Sequence, residues 1–215
     1  MADVRNNDRV VVVDHPLVQH KLSILRNKET TTKQFRELVR ELAIFEGYEA
    51  TRDFPLEEIQ IDTPLERCIG VQVEGKKVAI IPILRAGLGM VDGLLDLMPT
   101  ARVGHVGMYR DPETHEPHQY YCKFPQDIEK RTCLIVDPML ATGGSATAAI
   151  QFLREAGVQD IRLLVLVAAP EGIQAVLDFD PEVRIYTCAI DRQLSDTAYI
   201  LPGLGDAGDR IFGTK

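Results

Sequence analysis

The chain is short of cysteine, has no excess of positive charge and lacks any long apolar run, and each shortage removes a class of function. Its four cysteines, Cys68, Cys122, Cys133 and Cys188, are scattered through 215 residues without a C-x-x-C pair. That pattern fits a reducing, cytoplasmic compartment better than a disulfide framework. Lysine and arginine number 24 against 32 acidic residues, a formal charge of −8. Sequence-independent nucleic-acid binding needs a basic surface, so no nucleic-acid partner is expected, and any phosphate ligand must be met by local groups. No segment approaches the length of a membrane span, and Val10 to Val13, behind a polar start carrying Arg5, is too short for a signal-peptide core. The G-x-S-x-G elbow of serine hydrolases is absent. Absent too is the lysine that a P-loop requires after its glycines. There is no internal repeat and no low-complexity tract. What remains, at this length and with 45% apolar residues, is an α/β domain with a small appended part.

The elements read from periodicity support that class. Pro16 opens a short helix through Leu17, Leu22 and Leu25, and Thr31 with Gln34 forms a capping-box pattern ahead of a longer one. In the second helix Phe35, Leu38, Val39, Leu42 and Phe45 make one apolar stripe. Alternation at Ile59 and Ile61, and at Ile69, Val71 and Val73, marks two strands. Buried strands follow at Val78 to Leu84, Val103 to Tyr109, Leu134 to Val136, Ile161 to Ala168 and Arg184 to Ile190. The polar stretch Asp111 to His118 reads as a mobile loop, and Asp111 to Tyr121 as a candidate lid. His115 and His118 lie in it beside Glu113 and Glu116, but nothing elsewhere completes a zinc set, so no protein-held metal is expected.

The richest motif runs from Asp137 through Pro138, Met139, Leu140, Ala141, Thr142, Gly143, Gly144 and Ser145. A buried strand ends in one carboxylate, and a Thr-Gly-Gly-Ser turn then opens a helix. Glycines let backbone approach a ligand, and the helix start presents unpaired N–H groups and the positive end of its dipole. Thr142 and Ser145 add hydroxyl donors, and Asp137 can accept from sugar hydroxyls. This is the pattern of a sugar-phosphate cradle at the carboxyl edge of an open sheet.

A second ligand loop, Arg85-Ala86-Gly87-Leu88-Gly89-Met90, follows another buried strand. Gly87, Gly89 and Gly93 imitate a loose dinucleotide fingerprint, so an NADP-dependent oxidoreductase is a rival. The next strand, however, ends in Tyr109 and Arg110 where a ribose-binding acid belongs, which suits only a 2′-phosphate. Arg85 and Arg110 end two strands expected to be neighbours, and their forked guanidinium groups could clamp a diphosphate.

With these two loops and the glycine-rich tail Tyr199 to Asp209, the chain closely resembles the uracil phosphoribosyltransferases, a branch of the type I phosphoribosyltransferase family. The stretches carrying the likeness are Pro82 to Met90, Val106 to Arg110, Asp137 to Ser145, Val167 to Gly172 and Tyr199 to Asp209. The resemblance implies a single domain over 1–215, with a core of roughly 65–190 and a hood from the N-terminal part and 191–215. It implies transfer of the 5-phosphoribosyl group from 5-phospho-α-D-ribose 1-diphosphate to uracil, giving UMP and diphosphate. Asp137 to Ser145 would hold the ribose 5-phosphate, Arg85 and Arg110 the diphosphate, and Ile200, Gly205, Asp206 and Ala207 the uracil. Asp206 would also face the sugar donor, and with Arg85 and Arg110 it is a catalytic candidate. Pro138 stands where most of the wider superfamily has a second acid, which leaves Mg²⁺ as a cofactor carried by the diphosphate itself. The family also implies a homodimer or higher homo-oligomer and a possible GTP activator. A non-catalytic, pyrimidine-responsive RNA-binding regulator shares the fold, and the charge of −8 argues against it.

Overall fold

Uninterrupted apolar strands must be covered on both faces, and this chain provides helices for each. The computed structural model describes residues 4–75, 78–110 and 117–214. It opens with β1 (Val10–Val12), α1 (Pro16–Arg26), α2 (Thr32–Ala50) and a hairpin of β2 (Leu56–Asp62) and β3 (Arg67–Val73). Then come β4 (Val78–Leu84), α3 (Leu88–Leu97), β5 (Arg102–Val103), β6 (His105–Arg110), β7 (Pro117–Lys123), β8 (Thr132–Val136) and β9 (Met139–Leu140). The last part holds α4 (Gly144–Glu155), β10 (Ile161–Ala168), α5 (Pro170–Phe179), β11 (Arg184–Ile190), β12 (Gln193–Leu194), β13 (Ile200–Leu201) and α6 (Ala207–Phe212).

The main sheet runs β1-β11-β10-β8-β4-β6-β7, with β5 beside β4 and β9 beside β10. Every pairing in it is parallel except β6 with β7. Alternate residues of the central strands face opposite layers. Leu134, Val136, Leu164 and Leu166 pack with α1, α2 and α3. Cys133, Ile135, Leu163 and Val165 pack with Ala149, Ile150 and Leu153 of α4 and Ile173 and Val176 of α5.

The expected caps are present: Pro16 starts α1, and Thr31 accepts from the Gln34 N–H at the head of α2. Phe35, Leu38, Val39 and Leu42 are buried as the stripe requires, while Phe45 packs at the edge of the core. The same face carries Glu46, which is fully buried. One of its oxygens accepts from the Cys188 thiol at 3.4 Å, and its Oε2 has no hydrogen-bond partner among the described residues. Burial pushes this carboxyl well above the ordinary range, so it sits in the core as the neutral acid.

The segment read as a loop and lid needs correcting in part. Pro117–Lys123 is an edge strand, antiparallel to β6 with a bulge between Gly107 and Met108. An edge strand buries only part of its surface and tolerates polar side chains, so it lacks the apolar signature of the inner strands, and Pro117 at its first position removes no needed ladder bond. Asp111 to Glu116 lie outside the described residues. Gly93, third glycine of the apparent dinucleotide fingerprint, serves packing instead. A Cβ there would overlap the Arg40 carbonyl oxygen, because α2 crosses α3 at this point. Substituting Gly93→Ala is expected to force the two helices apart and destabilise the protein by about 1–3 kcal/mol; urea denaturation would register this as a lower midpoint with an unchanged slope.

Candidate functional site

Parallel strands deliver their carboxyl ends to a single edge of the sheet, and three of those ends carry the charged residues singled out from sequence. β4 and β8 are neighbours, with Pro82 opposite Val136. Arg85 and Asp137, just beyond each strand, therefore leave adjacent tips about 4.8 Å apart. On the other flank of β4, Leu84 pairs with Gly107, so the backbone of Arg110 closes the next strand along. The expected adjacency of the two arginine-bearing strands is what the sheet order gives.

Beyond Asp137 the chain is tied down before it turns. Val167 N–H donates to Pro138 O at 3.1 Å, and Ala169 N–H donates to Leu140 O at 2.8 Å. The Leu140 side chain is buried in one core layer, and Met139, partly buried, packs against the other. Gly143 takes φ 87° as the N-cap of α4. A Cβ there would meet Ala175 Cβ at 2.9 Å as well as being strained, so glycine is required twice over. The result is a cavity of about 180 Å³ lined by Asp137, the turn from Met139 to Ala146, Leu163 and Val165. The open N–H groups of the twelve-residue helix α4 lie at this turn.

The remaining residues singled out from sequence lie at the far end of the chain. Ile200 is buried in β13, Gly205 has φ 77°, and Ala207 is buried at the start of α6. Asp206 caps α6, accepting from the Asp209 N–H at 2.9 Å. Its charge is felt by Asp137. Burial, opposed by the Met139 backbone N–H and reinforced by the Asp206 carboxylate, raises Asp137 to a pKa of about 7.

Four participants carry no local sequence signal. The Phe212 ring lies 5.7 Å from the Arg85 guanidinium carbon, a cation–π contact that restricts an otherwise exposed side chain. Arg26, Asp191 and Arg210 hold the 200–207 loop from behind. Their partners are distant in sequence, Arg26 and Asp191 by 165 positions, so only the folded chain reveals them. Among the described residues no three His, Cys, Asp or Glu side chains gather into a metal set, and no helix is long and apolar enough to cross a membrane.

Comparison with known proteins agrees with this geometry. A family model described as uracil phosphoribosyltransferase matches residues 12–214. The uracil phosphoribosyltransferase of Thermoanaerobacter sp. (strain X514) is 61% identical over 96% of this chain and 98% of its own length. That of Clostridioides difficile (strain 630) is 58% identical over 96% of this chain and 99% of its own. Among solved structures, the AQ2163 protein from Aquifex aeolicus superposes with a TM-score of 0.91 at 35% identity, covering 96% of this chain and 99% of that one. The adenine phosphoribosyl transferase of Trypanosoma brucei shares the fold at a TM-score of 0.60 and 13% identity, over 96% and 92% of the two chains.

The Asp137 carboxyl has a definite pH signature. Its folded pKa of about 7 lies above the ordinary 3.8, so the folded state binds the extra proton and stability falls as pH rises from about 4 to about 7. Asp137→Asn removes the charge. The variant is expected to melt higher than the wild type at pH 8, by up to ~3 kcal/mol, and to match it near pH 4; melting curves of unliganded protein at the two pH values check both.

Proposed function

The chain belongs to the uracil phosphoribosyltransferase family and transfers the 5-phosphoribosyl group of 5-phospho-α-D-ribose 1-diphosphate to uracil, giving UMP and diphosphate; on that premise we propose how its residues divide the work. The turn from Thr142 to Ser145 and the start of α4 hold the 5-phosphate by backbone N–H groups, the hydroxyls and the helix dipole. Asp137 accepts from the ribose hydroxyls. Arg85, braced by Phe212, and Arg110 take the diphosphate. Ile200 to Ala207 read the uracil edge through backbone groups.

The observation that supports this division is the Phe212 ring 5.7 Å from the Arg85 guanidinium. It sets α6, which the 200–207 segment leads into, beside the Arg85 loop at the end of β4, as a joined sugar and base demand. Displacing diphosphate from the anomeric carbon builds positive charge on the sugar and negative charge on the leaving group. Arginine charge aimed at the leaving oxygens lowers that barrier by an amount on the order of 3 kcal/mol per donor. A Mg²⁺ ion carried by the diphosphate would take most of its ligands from phosphate and water oxygens, and Asp137 and Asp206 would be the carboxylates available to hold it. When bound, the ion adds positive charge against the departing diphosphate. Asp206 accepts the N1 proton of uracil as the new bond forms.

The hairpin of β2 and β3 supports assembly into a homo-oligomer. It forms its own two-stranded sheet, and Leu65, Ile69 and Val71 on it are 95%, 67% and 61% exposed. An isolated hairpin of this kind is marginal in water, and such aliphatic surface marks a protein contact. We place the enzyme in the cytoplasm, where its four cysteines stay as free thiols.

Incubation with labelled uracil, the ribosyl donor and Mg²⁺ is expected to yield UMP, with cytosine, hypoxanthine and adenine converted at least tenfold more slowly. Comparable conversion of cytosine would contradict the backbone reading of the uracil edge. Asp206→Asn should lower kcat by about 10²-fold or more; near-normal turnover would remove it as the proton acceptor. Light scattering of Leu65→Thr/Ile69→Thr/Val71→Thr should show a shift towards monomer, and an unchanged mass would exclude the hairpin as the contact.

A further inference from the structure

We infer that Arg26, Asp191 and Arg210 are positioning residues for base selection: they clamp the loop from Ile200 to Ala207 from behind and so fix which way its amides face. The inference rests on reading that loop as the uracil-binding segment, and it deepens that reading.

Asp191, the first residue after β11, is only 6% exposed. Arg26, in the last turn of α1, donates to both of its carboxylate oxygens, Nη2 to Oδ1 at 2.6 Å and Nη1 to Oδ2 at 2.8 Å. Asp191 Oδ2 also accepts the Gly203 N–H at 2.8 Å, while Arg26 Nη1 donates to the Gly203 carbonyl at 2.7 Å. Gly203 is thus gripped through both of its backbone polar groups. One residue on, Arg210 of α6 donates Nη1 to the Leu204 carbonyl at 2.8 Å and Nη2 to the Asn27 carbonyl at 2.6 Å. Its guanidinium is steadied over the Phe35 ring at 4.3 Å. Two consecutive loop carbonyls therefore point at two guanidinium groups.

A trans peptide is planar, and its C=O and N–H point in opposite directions. Holding the Gly203 carbonyl on Arg26 turns the Leu204 N–H the other way, and holding the Leu204 carbonyl on Arg210 does the same for the Gly205 N–H. The Gly205 N–H has no acceptor among the described residues. A peptide free to flip would offer an oxygen in its place. Uracil presents C=O groups at C2 and C4 with N3–H between them, whereas cytosine carries an amine at C4 and an acceptor at N3. A fixed N–H donor accepts the first pattern and leaves an unmatched pair with the second. A buried ion pair such as Arg26–Asp191 contributes little net stability against an apolar replacement, and fixing one conformation is the use it is suited to here.

Asp191→Asn is nearly isosteric and keeps an oxygen for the Gly203 N–H, but removes the charge that holds Arg26. It is expected to raise KM for uracil about tenfold, to leave KM for the ribosyl donor within twofold, and to lower the uracil-to-cytosine ratio of kcat/KM about tenfold. Arg26→Lys, which keeps the charge and loses the fork, should fall between variant and wild type. A rise in both KM values together, or an unmoved uracil KM with a lowered melting temperature, would overturn the inference by assigning the pair a structural role only. Should Asp191→Asn not fold, Arg210→Met takes its place: the same selective rise in uracil KM supports the clamp, and either of the other two patterns overturns it. Hydrogen exchange of the wild type separates the premise from the inference: UMP should slow exchange across 203–207. Absence of protection there would refute the base-binding reading itself, whereas protection with an unmoved uracil KM in Asp191→Asn would refute only the clamp.

Discussion

The pairing of β4 with β8 is the constraint on which the rest of the cleft depends. Backbone hydrogen bonds set Pro82 opposite Val136, and from that register an arginine and an aspartate emerge at one sheet edge, Asp137 level with Ile83 and Arg85 two residues further on. A slip of one residue would send each inward-facing side chain to the opposite layer. Leu134 and Val136 face one set of helices while Cys133 and Ile135 face the other, so the core holds the register against such a slip. The chemistry is positioned by packing on both sides of the sheet, well away from the reacting atoms.

The turn from Asp137 to Ser145 and the loop from Ile200 to Ala207 are stabilised by different means. The turn is short and local: a strand end and a buried proline anchored by backbone bonds to β10, then a left-handed glycine and a helix start. The loop from Ile200 to Ala207 has little secondary structure of its own, with β13 paired only to the two residues of β12. It borrows rigidity from charged side chains of α1, α6 and the end of β11. Ion pairs restrain an irregular segment where no ladder of backbone bonds is available.

Much of this was legible in the sequence, for physical reasons. The Thr31 cap, the stripe from Phe35 to Leu42 and the unit from Leu134 to Ala168 follow from local periodicity, which is what sequence displays directly. The adjacency of the two strands that lead to Arg85 and Arg110 followed from alternation of strands and helices. Other features have no local signature. β1 is three valines at an edge, too brief to announce itself, and β7 is largely polar because it is an edge strand. Gly93 resembled a ligand glycine because close approach to a helix and close approach to a phosphate place the same demand on a residue. The contacts of Arg26, Asp191, Arg210 and Phe212 span the length of the chain, and nothing in their immediate neighbours distinguishes them from solvated charges or an ordinary apolar residue.

Glu46 gives the molecule an unused margin. A carboxylic acid wedged between α2 and the sheet, with one buried oxygen lacking a hydrogen-bond partner among the described residues, is a flaw the fold carries without any return visible at the cleft. Natural sequences sit above a stability threshold rather than at an optimum, and here the slack can be located on a single side chain. Engineering for heat tolerance has an obvious starting point in that seam, where an amide or a branched aliphatic could be tried without touching Arg85, the turn from Asp137 to Ser145 or the loop from Ile200 to Ala207.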